Sequence, residues 1–352
     1  MIEPFFFACF PIVIYNNNMN KLINKKSLGI VISLIFIAII VHQVDIGKTI
    51  QAFGRMNPLF ILPIIPIYLL SFVIRAYRWK TFLSGNNLKF MSLLSSIFIG
   101  FSLNCVLPAR AGEIYRAYFF SKKENLNKTK VFTSVILERF FDGFVLFTIL
   151  VAVIYLVQRS ALFSNIAYLA GLIFLGGLGA LMIIVKLQES GNKREKVKSF
   201  LIKIGSNREN AINKAFSVLN SFFDGLKTLD SYQILLKIVF LTFIVWLLEG
   251  SVVFLVIKSF GIDITYLGAF LVLTITAFSS LIPAGPAAIG PYQWGYIIAL
   301  NAFTVQTELA FAVSIVNQLI LILIILSAGL YFMWKDHITI NEKVIEEELN
   351  WN

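Results

Sequence analysis

Long apolar segments separated by short basic loops set the hydrophobicity pattern of this chain. Full spans are predicted at Leu28–Val44, Pro58–Ile74, Val131–Val157, Ala161–Lys186, Ile234–Ile257 and Leu309–Trp334. A helix rises about 1.5 Å per residue, so segments of this length suffice to cross roughly 30 Å of hydrocarbon. The pattern predicts an all-α integral membrane protein with about six full transmembrane helices.

Two more apolar segments are interrupted near their middle. The first runs from Ser96 to Phe120 and breaks between Leu107 and Gly112, and the second breaks between Leu281 and Pro291. Proline removes a backbone donor and disfavours helix in the residue before it. Non-helical backbone is tolerated at membrane depth only where protein buries it or a wet cavity borders it. We therefore predict two broken re-entrant helical hairpins, with a binding site near the midplane.

Lysine and arginine positions predict the topology. Basic residues precede the first span, flank the first hairpin and fill the loop 187–233, so these parts are expected to be cytoplasmic. With six full spans both termini are then cytoplasmic. The second hairpin must enter the membrane from outside for the number of crossings to agree with this topology. Hairpins that enter from opposite faces indicate an inverted repeat.

Composition agrees with a membrane protein of the cell membrane. Of the 352 residues, 58% are hydrophobic and 14% charged, which is far from the composition of soluble domains. The net charge of +11 lies in the loops, so topology explains it better than nucleic-acid binding. The predicted division is an N-terminal apolar extension or mis-assigned start at 1–18, a polytopic membrane domain at 19–337 that includes the cytoplasmic basic loop 187–233, and an acidic cytoplasmic tail at 338–352.

Ionisable residues inside the predicted spans need partners. Glu138, Arg139, Asp142 and Glu249 each cost about 2.5 to 3.5 kcal/mol at a helix centre. One interpretation is a polar path or relay in which the carboxylates meet Arg110 or Arg116. The other is a structural ion network that docks the first hairpin. The sequence leaves both open.

The helices that follow the two breaks offer a second kind of site. Their N-termini, at Gly112 and Pro291, carry the positive end of the helix dipole, and Arg110 and Arg116 lie beside the first. Together they are suited to bind an anion, above all a lipid phosphate. The alternative is that Glu113 neutralises its own helix end and Arg116 snorkels to the interface.

Other polar residues receive simpler interpretations. Arg75, Arg78 and Lys80 are predicted to be interfacial anchors at the end of the second span. Asn317 and Gln318, in the last span, either line a pathway or form interhelical hydrogen bonds, of which the latter is favoured.

Three motifs occur in a characteristic order: Asn104 with Leu107–Arg116, Leu137–Asp142, and Pro283–Pro291. In this respect the chain resembles the lysylphosphatidylglycerol synthase transmembrane-region family, also called flippase-like. The resemblance implies a module that occurs alone or fused to an aminoacyl-transferase domain, and that is associated with moving a charged lipid between leaflets. Relatives are linked to lipid-linked glycans. Because these 352 residues include no transferase domain, the synthase activity is not implied.

The expected function is flippase-like or scramblase-like translocation of a phosphate-bearing lipid, either aminoacylated or glycan-linked. The predicted substrate-binding residues are Asn104, Arg110, Gly112, Glu113, Arg116, Glu138, Arg139, Asp142, Pro283, Gly285, Gly290 and Pro291. No catalytic residue, metal ligand or cofactor is predicted, since the sequence has no nucleophile paired with a base, no Walker loop and no metal-ligand cluster.

Two alternatives remain. One is a membrane enzyme that acts on a phospholipid or polyprenyl-phosphate head group with Glu113 or Asp142 as base. The other is a noncatalytic subunit that recruits a soluble partner through its basic loop. The expected partners are membrane lipids, either an anionic phospholipid or a lipid-linked intermediate, and not nucleic acid. A homo-oligomer and a cytoplasmic enzyme partner are both compatible with the sequence.

Overall fold

A computed structural model describes residues 19–83, 87–107, 111–157, 231–282 and 284–338, with scattered helical positions between 164 and 213. Side chains are described from Val31 onward. Pro108, Ala109, Arg110 and Pro283 lie outside the described residues, as do the segments 1–18 and 339–352 and most of the predicted span Ala161–Lys186.

The described part of the chain is helical and contains no strand. The helices are α1 Met19–Gln43, α2 Ile46–Gly54, α3 Ile64–Phe82, α4 Phe90–Val106, α5 Ala111–Lys123, α6 Lys128–Leu156, α7 Tyr232–Ser259, α8 Tyr266–Ser279, α9 Pro291–Asn301 and α10 Thr307–Lys335. Short 3₁₀ turns lie at Pro58–Phe60 and Pro286–Ala288. The predicted all-α class is therefore confirmed.

Four helical segments are long and apolar enough to cross a membrane: Pro58–Phe82, which contains α3, together with α6, α7 and α10. Helices α1 and α2 are bent by 84° against each other and add a fifth span if they are counted together. The chain is thus a multi-pass membrane protein. The count of six full spans stays a prediction, because most of Ala161–Lys186 lies outside the described residues.

Local capping explains where several helices begin. Asp45 accepts a hydrogen bond from the backbone of Lys48 (3.1 Å) at the start of α2, and Asn127 accepts one from Thr129 (2.9 Å) at the start of α6. The hydroxyl of Thr265 likewise accepts from the backbone of Gly268 at the start of α8. Such short polar side chains satisfy orphan backbone donors and fix the helix start.

Both interrupted segments form hairpins, as predicted. Helix α4 packs along α5, and α8 packs along α9. A Cβ atom on Gly112 would lie 2.0 Å from the carbonyl oxygen of Gly100, and one on Gly295 would lie 2.3 Å from the Ser279 hydroxyl. The absence of side chains at these glycines lets the two limbs of each hairpin touch, which is how close helix pairs form in membranes.

The two halves of the molecule pack reciprocally. Helices α3–α6 and α7–α10 share one order: a long helix, the two limbs of a hairpin, and a second long helix. Helix α3 packs along α7, while α4 packs on α10 and α8 packs on α6. The first limb of each hairpin thus rests on the last helix of the other half, which supports the predicted repeat.

The membrane face from which each hairpin enters is a prediction that labelling can test. After Cys9 and Cys105 are replaced, single cysteines are introduced at the exposed positions Asn125 and Asp263. The two cysteines should be accessible to a labelling reagent from opposite sides of the membrane. We expect a membrane-impermeant maleimide to label Asp263→Cys in intact cells, and to label Asn125→Cys only after permeabilisation. Labelling of Asn125→Cys in intact cells would overturn the cytoplasmic entry of the first hairpin.

Candidate functional site

A cluster of eight ionisable side chains is buried between α3, α5, α6 and α7. Its members, here called the ion cluster, are Arg75, Arg78, Glu113, Arg116, Glu138, Arg139, Asp142 and Glu249. No side chain of the cluster is more than 14% exposed. Four arginines and four carboxylates make the cluster formally neutral when all are ionised, which is the arrangement that buried charges require.

Arg78 is the centre of the cluster. Its Nη2 atom lies 2.8 Å from Glu138 Oε1 and 3.1 Å from Asp142 Oδ2, and its Nη1 atom pairs with the other oxygen of Asp142. Nη1 also donates to the Thr242 hydroxyl of α7 at 3.0 Å. A single fully buried guanidinium therefore joins α3, α6 and α7.

Two ion pairs dock the first hairpin on α6. Arg116 of α5 lies 2.8 Å from Glu138 Oε2 through Nη2, and its guanidinium carbon lies 4.7 Å from the centroid of the Trp79 ring. Arg139 Nε lies 3.5 Å from Glu113 Oε2. The docking network that the sequence left as one of two interpretations is therefore present.

Arg75 and Glu249 form a second, nearby pair between α3 and α7. Arg75 Nη2 lies 3.0 Å from Glu249 Oε1, and the Ser71 hydroxyl donates to the same oxygen at 3.2 Å. The guanidinium carbon of Arg75 lies 5.5 Å from the ring centroid of Phe101 and 5.8 Å from that of Trp246. Arg75 Nε and Nη1 are buried and make no hydrogen bond to a described residue.

A second polar group, here called the amide cluster, surrounds the break in the second hairpin. It consists of Ser33, Tyr292, Gln293, Asn317 and Gln318. Gln293 accepts from the backbone of Gly290 (2.7 Å) and donates to Gln318. Asn317 Nδ2 donates to the Tyr292 hydroxyl at 2.6 Å.

The amide cluster also provides hydrogen-bond partners for the backbone N–H and C=O groups at the break of the second hairpin. Gln318 Nε2 donates to the carbonyl of Ala287 at 2.7 Å. The Ser33 hydroxyl of α1 accepts from the backbone of Gly285 (2.9 Å) and donates to the carbonyl of Ile289 (2.7 Å). Side chains from α1 and α10 thus supply the partners that water cannot supply at membrane depth.

Helix α4 lies between the two clusters. It packs along α5, which carries Arg116, and on α10, which carries Asn317 and Gln318. The 3₁₀ turn Pro286–Ala288 packs against α4. The ion cluster and the amide cluster, together called the polar seam, therefore lie on neighbouring helices.

The predicted site residues fall into three groups. Glu113, Arg116, Glu138, Arg139 and Asp142 are brought together in the ion cluster. Asn104 and Gly112 lie at the crossing of the first hairpin, and Gly285, Gly290 and Pro291 lie at the break of the second. Arg110 and Pro283 lie outside the described residues.

Two sequence-based interpretations are wrong. Arg75 and Arg78 are not interfacial anchors, because their side chains are 1% and 0% exposed and pair with carboxylates of other helices. Arg116 does not snorkel, since its side chain is 1% exposed. Of the three residues predicted to be anchors, only Lys80 is exposed. The predicted span ends at Ile74, whereas α3 continues to Phe82. Arg75 and Arg78 therefore lie within the helix, on its buried side, and not at its end.

A signal for these arginines was present in the sequence. Ser71, Arg75, Arg78 and Phe82 recur at spacings of four, three and four, which places them on one helix face. The ionisable residues embedded in the other spans carry an excess of negative charge that needs cations from elsewhere, since Glu138, Asp142 and Glu249 outnumber Arg139. Ser33 and Gln293 had no comparable signal.

Comparisons with known proteins agree with these features. A family model described as "Lysylphosphatidylglycerol synthase TM region" matches residues 27–329. A UPF0104 membrane protein of Methanocaldococcus jannaschii is 24% identical over 311 residues, which cover 85% of this chain and 91% of the relative. One of Pyrococcus horikoshii is 26% identical over 317 residues, or 84% of this chain and 92% of the relative.

A longer relative matches through part of its length. Glycosyltransferase AglD of Haloferax volcanii is 22% identical over 313 residues, which are 80% of this chain and 49% of AglD. No solved structure matches the chain significantly.

Proposed function

Because this chain belongs to the lysylphosphatidylglycerol synthase transmembrane-region family, we propose that it moves a phosphate-bearing lipid between the two leaflets of the membrane. The name of the family refers to a phospholipid, lysylphosphatidylglycerol, and two of its relatives are called membrane proteins. The chain is a multi-pass membrane protein of this family, and movement of lipid between the leaflets is the function that we propose for it.

The observation that carries the proposal is the buried polar seam with unused arginine donors. Ionisable groups inside a membrane protein are expensive and usually mark the route of a polar substrate. Arg75 and Arg116 each keep Nε and Nη1 without a hydrogen bond to a described residue, although both side chains are almost fully buried. Guanidinium groups bind phosphate oxygens strongly and with defined geometry.

The arrangement of the seam suits a head group that crosses while its acyl chains stay in lipid. The ion cluster contacts the first hairpin, the amide cluster contacts the second, and the two clusters lie on neighbouring helices. A head group in this region would exchange water for fixed protein donors and acceptors, which lowers the cost of passing the hydrocarbon.

The ion cluster favours transport over the enzymatic alternative. Asp142 and Glu113, the carboxylates that would act as bases, both face arginines. Asp142 pairs with Arg78 and Arg139, and Glu113 lies 3.5 Å from Arg139. A general base must reach the proton that it removes, and these carboxylates are already engaged.

Transport can be measured with purified protein in liposomes that contain a fluorescent phospholipid and an impermeant quencher. We expect faster leaflet exchange than in protein-free liposomes, without chemical change of the lipid. Arg75→Lys keeps the charge that faces Glu249 but loses the spare guanidinium donors. Its exchange rate should fall by about tenfold, the effect expected from one lost charge-assisted hydrogen bond.

Arg55→Lys is the matched control, because Arg55 is exposed at the end of α2 and outside both clusters. It should exchange lipid at the wild-type rate. Formation of a modified lipid would favour the enzymatic alternative, and an exchange rate equal to that of empty liposomes would overturn the proposal.

A further inference from the structure

We propose that a cleft between the C-terminal ends of α5 and α10 binds the phosphate of an anionic phospholipid. The cleft has a volume of about 230 Å³ and is lined by Phe119, Lys122, Lys123 and Asp336. A water molecule occupies roughly 30 Å³ in the liquid, so the cleft has room for a larger anion. Because the cleft lies outside both clusters of the polar seam, this proposal does not depend on the proposed transport.

The two sides of the cleft are joined by an ion pair. Lys123 Nζ, at the end of α5, lies 2.6 Å from Asp336 Oδ2, directly after α10. The same Nζ atom donates to the hydroxyl of Ser95, near the start of α4, at 3.2 Å. These contacts bring the ends of three helices together at one membrane face and give the cleft a defined shape.

The charge of the cleft is positive. Lys122 Nζ lies 6.0 Å from the centroid of the Tyr118 ring, and Lys128 Nζ lies 4.9 Å from the same centroid. Among the described residues, no carboxylate forms an ion pair with either lysine. The lining residues Lys122, Lys123 and Asp336 sum to one positive charge, which the single negative charge of a phosphodiester would balance.

The lysines at the end of α5 are not needed to cap that helix. Cations in the last turn of a helix often bind its terminal carbonyl groups. Here the carbonyls of Phe120, Ser121 and Lys122 accept hydrogen bonds from the backbone of the loop that follows. Capping therefore does not account for the position of the Lys122 side chain.

Aromatic residues place the cleft at the level of the lipid head groups. Tyr331 and Trp334, at the end of α10, are 53% and 76% exposed. Exposed Tyr and Trp at the end of a span are typical of the boundary between hydrocarbon and head groups. Asp336 follows Trp334 by two residues, and the exposed side chain of Leu330 precedes it. A lipid bound here could place its phosphate in the cleft and its acyl chains along α10.

Binding can be measured with the full chain in an uncharged detergent. Dihexanoyl phosphatidylglycerol and dihexanoyl phosphatidylcholine are titrated, and the rise in melting temperature gives a dissociation constant for each lipid. We expect phosphatidylglycerol to bind at least about fivefold more tightly, which is the contribution of about one charge near a membrane surface. Equal affinity for the two lipids would overturn the proposal.

Two substitutions in the cleft should change this affinity in opposite directions. Lys122→Gln removes a cation and should weaken phosphatidylglycerol binding by about fivefold, whereas Asp336→Asn removes the competing carboxylate and should strengthen it by a similar factor. Lys122→Arg keeps the charge and should keep the affinity. If these residues served only the structure, Asp336→Asn would lower the melting temperature without tighter binding.

Lys80→Gln is the matched control, because Lys80 is exposed at the end of α3 and does not line the cleft. It removes the same charge and should bind phosphatidylglycerol like the wild type. Wild-type affinity in Lys122→Gln would overturn the proposal even if Asp336→Asn did not fold.

The other candidate occupants are the acidic tail and free phosphate. The tail follows Asp336 in the sequence, and a variant with Glu346→Gln, Glu347→Gln and Glu348→Gln keeps the full chain length. We expect this variant to bind phosphatidylglycerol like the wild type. If only the variant binds it, the tail occupies the cleft and the proposal is overturned. Stabilisation by inorganic phosphate as strong as that by phosphatidylglycerol would also overturn it.

Discussion

Arg78→Ala is expected to prevent the protein from folding stably in the membrane. The Arg78 side chain is fully buried and compensates two carboxylates, Glu138 and Asp142, at once. Its removal leaves Asp142 with one arginine at 3.4 Å and Glu138 with one fewer partner. Loss of one member of a buried ion pair costs on the order of 3 to 5 kcal/mol, a large part of the stability of a typical domain. Melting temperature and the monodisperse yield after size exclusion measure the effect.

Lys80→Ala is the matched control for this variant. Lys80 lies two residues further along α3 and is exposed, so its replacement should change the free energy of unfolding by no more than about 0.5 kcal/mol. A triple variant, Arg78→Met with Glu138→Gln and Asp142→Asn, removes the centre of the network together and should recover part of the lost stability. Equal melting temperatures for Arg78→Ala and Lys80→Ala would contradict the central position of Arg78.

The spans and the breaks could be predicted because they depend on local physics. The length of an apolar segment decides whether it can cross the membrane. Pro108 and Pro291 interrupt a preceding helix whatever the surrounding structure. Predicted and observed bounds agree within a few residues for α6, α7 and α10. The break of the first hairpin likewise falls where α4 ends at Val106 and α5 begins at Ala111.

The position of Arg75 and Arg78 could not be predicted from hydrophobicity alone, although their spacing places them on one face of α3. Helix α3 is apolar on nearly all sides, so the pattern does not show which face turns to the protein and which to lipid. A basic residue near a helix end is usually an interfacial anchor, and the sequence therefore predicts anchors at these positions. The rule fails here because the carboxylates that pair with these arginines belong to α6 and α7.

The amide cluster was beyond prediction for a different reason. Its contacts join residues far apart in the chain, such as Ser33 with Gly285 and Ile289. Gln293 caps the backbone of Gly290 only because Gly290 adopts a positive φ of 103°, which the sequence permits but does not require. The expectation that an interrupted backbone needs partners inside the protein is met by these side chains.

The ion cluster contains the docking network that the sequence left as one of two interpretations, and the polar path is part of our proposal. Arg116 and Arg139 dock the first hairpin, and the same Arg116 keeps donors that suit a phosphate. A structural network and a binding site are therefore compatible in one group of side chains. This has a practical consequence: a variant that removes Arg116 changes stability and transport together, whereas Arg75→Lys separates them.

Gly112→Ala should separate the two limbs of the first hairpin. A Cβ atom at this position would lie 2.0 Å from the Gly100 carbonyl oxygen and 2.7 Å from Asn104 Oδ1, well inside the 3.4 Å at which ordinary van der Waals contact begins. The nearest atom belongs to the backbone, so α5 itself must move away from α4. Because α5 carries Arg116, this movement also lengthens the 2.8 Å contact between Arg116 and Glu138.

We expect Gly112→Ala to lower the free energy of unfolding by about 1 to 3 kcal/mol, as overpacking of a close contact does, and to slow lipid exchange more than that loss of stability explains. Gly54→Ala is the matched control. No atom lies within 4 Å of a Cβ built on Gly54, so that variant should match or slightly exceed wild-type stability and keep its exchange rate. Melting curves and liposome exchange on the two variants provide the comparison. If Gly112→Ala behaves like Gly54→Ala in both measurements, the close crossing of α4 and α5 does not position Arg116.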